Sequence, residues 1–314
     1  MMMVPDLFFR TLTKNREGSW DKAARDPNDE MVHAGLTPDN IRKWEYLKGI
    51  QGQNETLFYR VLLDNFAEMA SVVYTPTVGW ACLNLSRMFR IARGMYFSAK
   101  DRGHMVSIAY NWPSHEVDAI VVMGGSRILG LGDVGMNGMG ISIGKLDLYV
   151  AAAGFHPARV LPCLIDLGTN SKKLLADDRL QRSAKAYLGL NQERPDGDEY
   201  LQVVDEFVAA VKARWPKALI QVEDFRTEYA SKLLERYRYK HLCFNDDVQF
   251  RFCSRSCCWW QGANFWVMNA DGLVTEARSS TVEKATRRFA RPTGGRELKD
   301  GSNVEQASSY VEIS

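Results

Sequence analysis

The sequence predicts an α/β fold, a parallel-rich sheet flanked by helices, and two observations carry that prediction. First, two strand–acid–helix units follow one another: Leu219–Val222 runs into Glu223-Asp224, and Leu242–Phe244 runs into Asn245-Asp246-Asp247. Units of this kind place a site at the carboxyl ends of parallel strands. Second, Ala119–Met123 (AIVVM) and Val160–Asp166 are continuous apolar runs of strand length, the pattern of strands buried on both faces.

The elements follow in order. Residues 1–45 are polar and mixed, an N-terminal region with weak helical signals, and the main domain is expected over 46–249. From Asn54, a candidate N-cap, Leu57, Phe58, Val61, Leu62, Phe66 and Met69 recur at helical spacing. That helix should end before Tyr74-Thr75-Pro76-Thr77, where a proline and two threonines break the period. After the strand at Ala119–Met123, Gly124-Gly125-Ser126 reads as a tight turn and Arg127–Leu131 as a second strand. Tyr200–Arg214 is helical, with Tyr200, Val203, Val204, Phe207, Val208 and Val211 inward, and Glu228–Arg238 is the next helix. Beyond Gln249 the pattern breaks. Phe250–Ala263 has no period, three cysteines and two adjacent tryptophans; 264–275 returns to a strand and a turn, and the rest, from Arg278, is basic and polar.

Composition narrows the function classes. With 314 residues, 46% apolar and 25% charged, the chain is of globular type and long enough for one large or two ordinary domains. A net charge of +2, and a basic tail interrupted by Glu283, Glu297 and Asp300, argue for a solvated face and no nucleic-acid partner. No stretch approaches the ~18 uninterrupted apolar residues of a membrane span, so no membrane partner is expected. The N-terminus mixes Arg10, Lys14 and Arg16 with Asp6 and Glu17, which makes a poor transit peptide and no secretory signal. Cys82, Cys163 and Cys243 lie in apolar runs, where a thiol behaves as a small hydrophobe; Cys253, Cys257 and Cys258 crowd one segment, and no Cys/His spacing fits zinc.

Several residues could carry chemistry. Glu223, Asp224, Asp246 and Asp247 could surround a hard divalent cation, or could be turn formers and helix caps. Lys145, among apolar neighbours, would lose basicity out of water and could then accept a proton; it could equally reach solvent from a helix start. Tyr74 could be a phenolic acid or a core tyrosine, and Arg127 a carboxylate clamp or a surface arginine. Gly130-Leu131-Gly132-Asp133-Val134-Gly135 matches G-x-G-x-x-G. Asp133, however, would put negative charge in a phosphate cradle, and 135–140 is expected to prolong a loop where that motif opens a helix. No histidine sits beside a Ser or Cys in a nucleophile motif, and His104, His115 and His241 are expected at the surface or at element ends.

Six strings in this order, YTPTVGWAC (74–82), RILGLGDVGMNGMGI (127–141), GKLDLYVAAAG (144–154), IDLGTNSKKLL (165–175), VEDF (222–225) and FNDDVQ (244–249), resemble the malic enzymes. The likeness runs from about Gly35 to Gln249, and the Trp of YTPTVGW with RGMYFSA (93–99) resembles the plant mitochondrial NAD-type branch. The resemblance implies the family's N-terminal substrate- and metal-binding domain and the oxidative decarboxylation of (S)-malate to pyruvate and CO2, with NAD or NADP and Mg2+ or Mn2+. By the family's pattern Lys145 resembles the base at the C2 hydroxyl and Tyr74 the acid at C3. Arg127 resembles the arginine that holds the substrate, with a cofactor contact as well. Glu223, Asp224 and Asp247 resemble the metal ligands, and Asp246 the acid beside the lysine. A dimer or tetramer and a mitochondrial matrix location follow from the same likeness, with the cytoplasm as the location otherwise.

In the family, FNDD-[IV]-Q continues into a helix and a Rossmann domain with its glycine fingerprint. Here Gln249 runs into Phe250–Ala263, an unmatched segment, and no such fingerprint follows. Asn269, in NFWVMNADGLVTEAR, stands where that domain usually has the Asp that holds the ribose. A Rossmann domain needs about 150 residues, so 264–314 is expected to be a truncated Rossmann remnant and the activity of this chain to be impaired. The alternatives are a catalytically silent relative that binds metal and dicarboxylate or partner subunits, and a fragment that aggregates through exposed apolar surface.

Overall fold

A computed structural model describes residues 36–85, 93–128, 130–176, 187–252, 265–268 and 274–277. Helix α1 (Pro38–Gln53) starts on Thr37, whose hydroxyl accepts from the Asn40 amide at 3.2 Å, with Pro38 in the first turn. It runs through residue 45, so the expected division there falls inside one helix. Asn54 caps α2 (Glu55–Asp64) by accepting from the Leu57 amide, as its position suggested. The single helix expected from there to Tyr74 is two. Asn65 turns its amide back onto the Val61 carbonyl, and α3 (Phe66–Val73) starts afresh. Leu57, read as inward, is exposed, while Phe58, Val61 and Leu62 are buried.

Next come α4 (Thr77–Leu83), β1 (Met95–Ser98), α5 (Met105–Tyr110), β2 (Ala119–Met123), α6 (Met139–Leu148), β3 (Val160–Asp166) and α7 (Lys172–Ala176). They are followed by α8 (Gly197–Arg214), β4 (Leu219–Glu223), α9 (Thr227–Tyr237), β5 (Cys243–Asn245) and α10 (Asp246–Phe252). Strands β1–β5 form one all-parallel sheet in the order β1-β3-β2-β4-β5, as the strand–acid–helix units foretold. Every residue of β2, β3 and β4 is buried, because helices cover both faces. Ile120, Val122, Leu161, Cys163, Ile165, Ile220 and Val222 pack under α5, α8 and α9. The alternate positions Ala119, Val121 and Val160 pack against α1–α4 and α6.

Two expectations fail. Arg127–Leu131 is not a strand: Ile128 makes an isolated bridge to Gly132 within a loop, because Gly130 and Gly132 take left-handed backbone and turn the chain back on itself. Nor do residues 135–140 prolong the loop. Gly135–Gly138 is a 3-10 turn that leads directly into α6, since Gly138 allows close packing under Met123 and Ile128 and Gly135 under Tyr187. Strand β1 carries no strong signal; it is a short edge strand with alternating burial.

Cys82, Cys163 and Cys243 are free thiols, and no described helix is long and apolar enough to cross a membrane. Beyond α10, β6 (Phe265–Met268) pairs antiparallel with β7 (Val274–Ala277). The segment 253–264, Asn269 and the basic tail from Arg278 lie outside the described residues, and Rossmann pairing is not shown for the two strands between them.

Candidate active site

Of the residues singled out from the sequence, Tyr74, Lys145, Glu223 and Asp246 meet where the carboxyl ends of β4 and β5 face α6. Lys145 lies in the last turn of α6, not at a helix start. Gly144 precedes it, and a Cβ there would sit 2.6 Å from the Val73 carbonyl oxygen and 3.1 Å from the Tyr74 ring. The missing side chain lets the end of α3 rest directly on α6, which brings the Tyr74 ring under the lysine at 5.6 Å. Tyr74 ends α3, and α4 follows at Thr77 after a cis Thr75–Pro76 peptide.

The Lys145 ammonium stands between two carboxylates, Glu223 at 2.5 Å and Asp246 in a still closer pair. Glu223 also accepts from the Tyr74 hydroxyl at 3.3 Å and, through its other oxygen, from the Gln221 amide at 2.6 Å. Burial alone would lower the basicity of Lys145, as expected from the sequence. The charges of Asp246 and Glu223 outweigh it and hold the lysine well above the ordinary range. Burial, with Asp246 adding to it, raises Glu223 well above the usual carboxylate range against the pull of Lys145. Burial likewise pushes the Tyr74 phenol well up, so it is a proton donor and not an anion. Two acids on one ammonium leave one negative charge in surplus, and this surplus acts with burial to push Glu223 toward its protonated form.

Asp224, the residue after β4, takes left-handed backbone at φ 52°. Its amide donates to Asp247 at 2.8 Å, and its carbonyl accepts from the amides of Ser126 and Arg127 at 3.3 and 3.4 Å. The backbone of one residue thus joins the two acidic pairs to the loop that carries Arg127. Arg127 donates to the Thr227 hydroxyl and, with Phe225, Ser231 and Asp247, lines a cavity of about 300 Å3. Glu223, Asp224 and Asp247 are the oxygen donors that a hard divalent ion takes, so the set fits in type. The carboxylates are not gathered: Glu223 faces Lys145, Asp247 faces the Asp224 amide, and among the described residues no three such groups converge on one point.

The glycine-rich loop does not fit a phosphate. Asp133 fills it, accepting from the Gly135 and Asn170 amides and from Arg194. Asn269, the other cofactor candidate, lies outside the described residues. His104 and His115 are exposed and His241 follows α9, away from the acids.

Sequence reading missed two participants, Gln221 and Tyr149, and one neighbouring structural acid, Asp147. Gln221 is buried inside β4 and orients Glu223, and the Tyr149 hydroxyl donates to Gln221. A glutamine inside the apolar run LIQVE was the available signal. Asp147, two residues beyond Lys145, accepts from Lys48 and Gln51 at 2.6 Å each and from Tyr59 at 3.0 Å. An acid among the apolar residues of GKLDLY marked it.

Residues 51–238 match the family model described as malic enzyme, N-terminal domain. The NAD-dependent malic enzyme 59 kDa isoform, mitochondrial, of Solanum tuberosum is 53% identical over 241 residues, which cover 77% of this chain and 36% of that protein. The NAD-dependent malic enzyme 2, mitochondrial, of Arabidopsis thaliana is 55% identical over 215 residues, 68% of this chain and 34% of the relative. An NADP-dependent malic enzyme of Dictyostelium discoideum is 50% identical over 210 residues, 67% of this chain and 37% of its own. The chain spans about a third of the length of the curated relatives it matches.

Proposed function

The chain belongs to the malic enzyme family, as its N-terminal domain, and we propose that its site serves the oxidative decarboxylation of (S)-malate to pyruvate and CO2. The observation that carries this reading is the Lys145 ammonium held between Glu223 and Asp246 with the Tyr74 hydroxyl beside them. Oxidation at C2 requires a group that takes the hydroxyl proton; Lys145 is that group once its ammonium has passed its own proton to the paired Asp246 carboxylate and left a neutral amine. Loss of CO2 leaves an enolate that needs a proton at C3. Tyr74, held protonated by burial, supplies it. Arg127, on the rim of the cavity, grips a substrate carboxylate through its planar fork.

Glu223, Asp224 and Asp247 would hold the divalent ion, Mg2+ or Mn2+, which polarises the substrate oxygen when bound. The hydride acceptor is NAD or NADP, the nucleotides in the relatives' names, and Arg127 and Asn269 are the residues of this chain proposed to face it. A mitochondrial location and assembly into dimers or tetramers belong to the same proposal. The mitochondrial relatives support the first. A main domain that ends at Gln249 is likewise proposed, with the family match over 51–238 in support.

Metal-dependent decarboxylation of oxaloacetate tests the site, because that half-reaction consumes no nucleotide. CO2 release above the background of Mn2+ alone, with conversion of the enolate product to pyruvate slowed in Tyr74→Phe, is the expected result. Release no faster than Mn2+ alone overturns the reading.

A further inference from the structure

Arg194 is almost wholly buried, its side chain 1% exposed, in a segment outside the acidic cluster. Its guanidinium reaches three pieces of chain. Nε donates to the Gly168 carbonyl at 2.7 Å, and Nη2 donates to Asp133 at 2.8 Å and to the Gly125 carbonyl at 3.5 Å. Its own amide donates to the Asn170 side chain at 3.0 Å. Asp133 in turn holds the Gly135 amide at 3.1 Å and the Asn170 amide at 2.8 Å. The loop then closes on itself, because the Val134 and Gly135 amides donate to the Gly125 carbonyl at 3.1 and 2.9 Å. Gly125 itself has left-handed backbone, and a Cβ there would lie 2.1 Å from the Gly135 carbonyl oxygen. The turn is therefore locked two residues before Arg127.

Stability does not explain this arrangement. Burying a guanidinium is costly unless every donor is met, and Nη1 of Arg194 has no acceptor among the described residues. What the arrangement achieves is geometric. Arg127 hangs from two supports, the Asp224 carbonyl on one side and the Arg194–Asp133 brace on the other. We propose that Arg194, acting through Asp133 and the Gly125–Gly135 turn, is the positioning residue that aims Arg127 at the substrate carboxylate. The proposal rests on the reading of Arg127 as the substrate grip.

A double-mutant cycle between Arg194 and Arg127 tests it, in oxaloacetate decarboxylation with Mn2+ and in calorimetric titration with (S)-malate. Arg194→Met is expected to raise KM for oxaloacetate and Kd for malate about tenfold while kcat stays within about threefold. In an Arg127→Met background the same change should add nothing further. Asp133→Asn, which keeps an acceptor for the loop amides, should give a smaller rise in KM, and Arg194→Lys a partial rescue. Effects of Arg194→Met and Arg127→Met that simply add, or a fall in kcat with KM unchanged, overturn the positioning role. Should Arg194→Met fail to fold, the same cycle run with Asp133→Asn decides. Malate binding without turnover overturns the proposed activity alone, because the cycle can still be read from Kd. A parent chain that neither turns over oxaloacetate nor binds malate overturns both.

Discussion

Two buried ionic groups stand two residues apart on α6 and follow opposite plans. Around Asp147 the charges balance. One carboxylate meets one ammonium, Lys48, and neutral donors from Gln51 and Tyr59 fill its remaining acceptor sites. Around Lys145 they do not balance, since two carboxylates share one ammonium and a phenol. The first arrangement needs nothing from outside and ties α1 and α2 to α6. The second sets two carboxylates on one ammonium, and its Asp246 directly precedes Asp247, which lines the cavity with Arg127. A balanced buried pair is the mark of architecture, and an unbalanced one is the mark of a site.

The comparison breaks most sharply at Asp147. Asp147→Ala leaves Lys48 buried without its counter-charge and should cost about 3–5 kcal/mol in urea unfolding. An effect under 1 kcal/mol would show that the pair is not structural. At the other group the sign reverses. Glu223→Gln removes the surplus charge and should raise the unfolding free energy by about 1–2 kcal/mol, while metal-dependent decarboxylation falls about 100-fold. A variant that loses stability and activity together would erase the distinction. Replacing both partners of the balanced pair, Lys48→Met with Asp147→Asn, should come within about 1–2 kcal/mol of the parent, because the neutral pair still serves Gln51 and Tyr59.

The smallest effect is at the surface. Arg236 grips Asp205 with two nitrogens, at 2.6 and 2.5 Å, and Tyr237 donates to the same carboxylate. Burial would raise the Asp205 carboxyl, but these bonds outweigh it and hold it below its usual 3.8. A depressed carboxylate stabilises the fold above its unfolded pKa, and the gain is lost as pH falls through the folded value. Asp205→Asn should therefore cost no more than about 1 kcal/mol at pH 7, and parent and variant should converge below pH 3 (roughly). A gap that persists in acid would rule out ionic pairing as its source.

Much of the fold was legible because its signals are local. The runs AIVVM and VLPCLID must be buried whatever surrounds them, and acids directly after apolar strands report a strand end wherever the sheet lies. Asn54 reads as a cap because its side chain serves an amide three residues on. Arg127–Leu131 misled because its composition suits a strand, whereas the left-handed glycines around it close a loop.

The sequence by itself determined the α/β class, the buried central strands, the cysteines as free thiols where described, and the residue types of the site, from Tyr74 to Asp247. The tertiary structure alone decided their pairing. It set Lys145 against two carboxylates and so reversed the expected direction of its basicity, gave Asp147 to Lys48, and braced Arg127 through Arg194. The reason is physical: burial and capping are properties of a short segment, while the charge on a lysine depends on which acids, about 100 residues away in the chain, the sheet brings within hydrogen-bond reach.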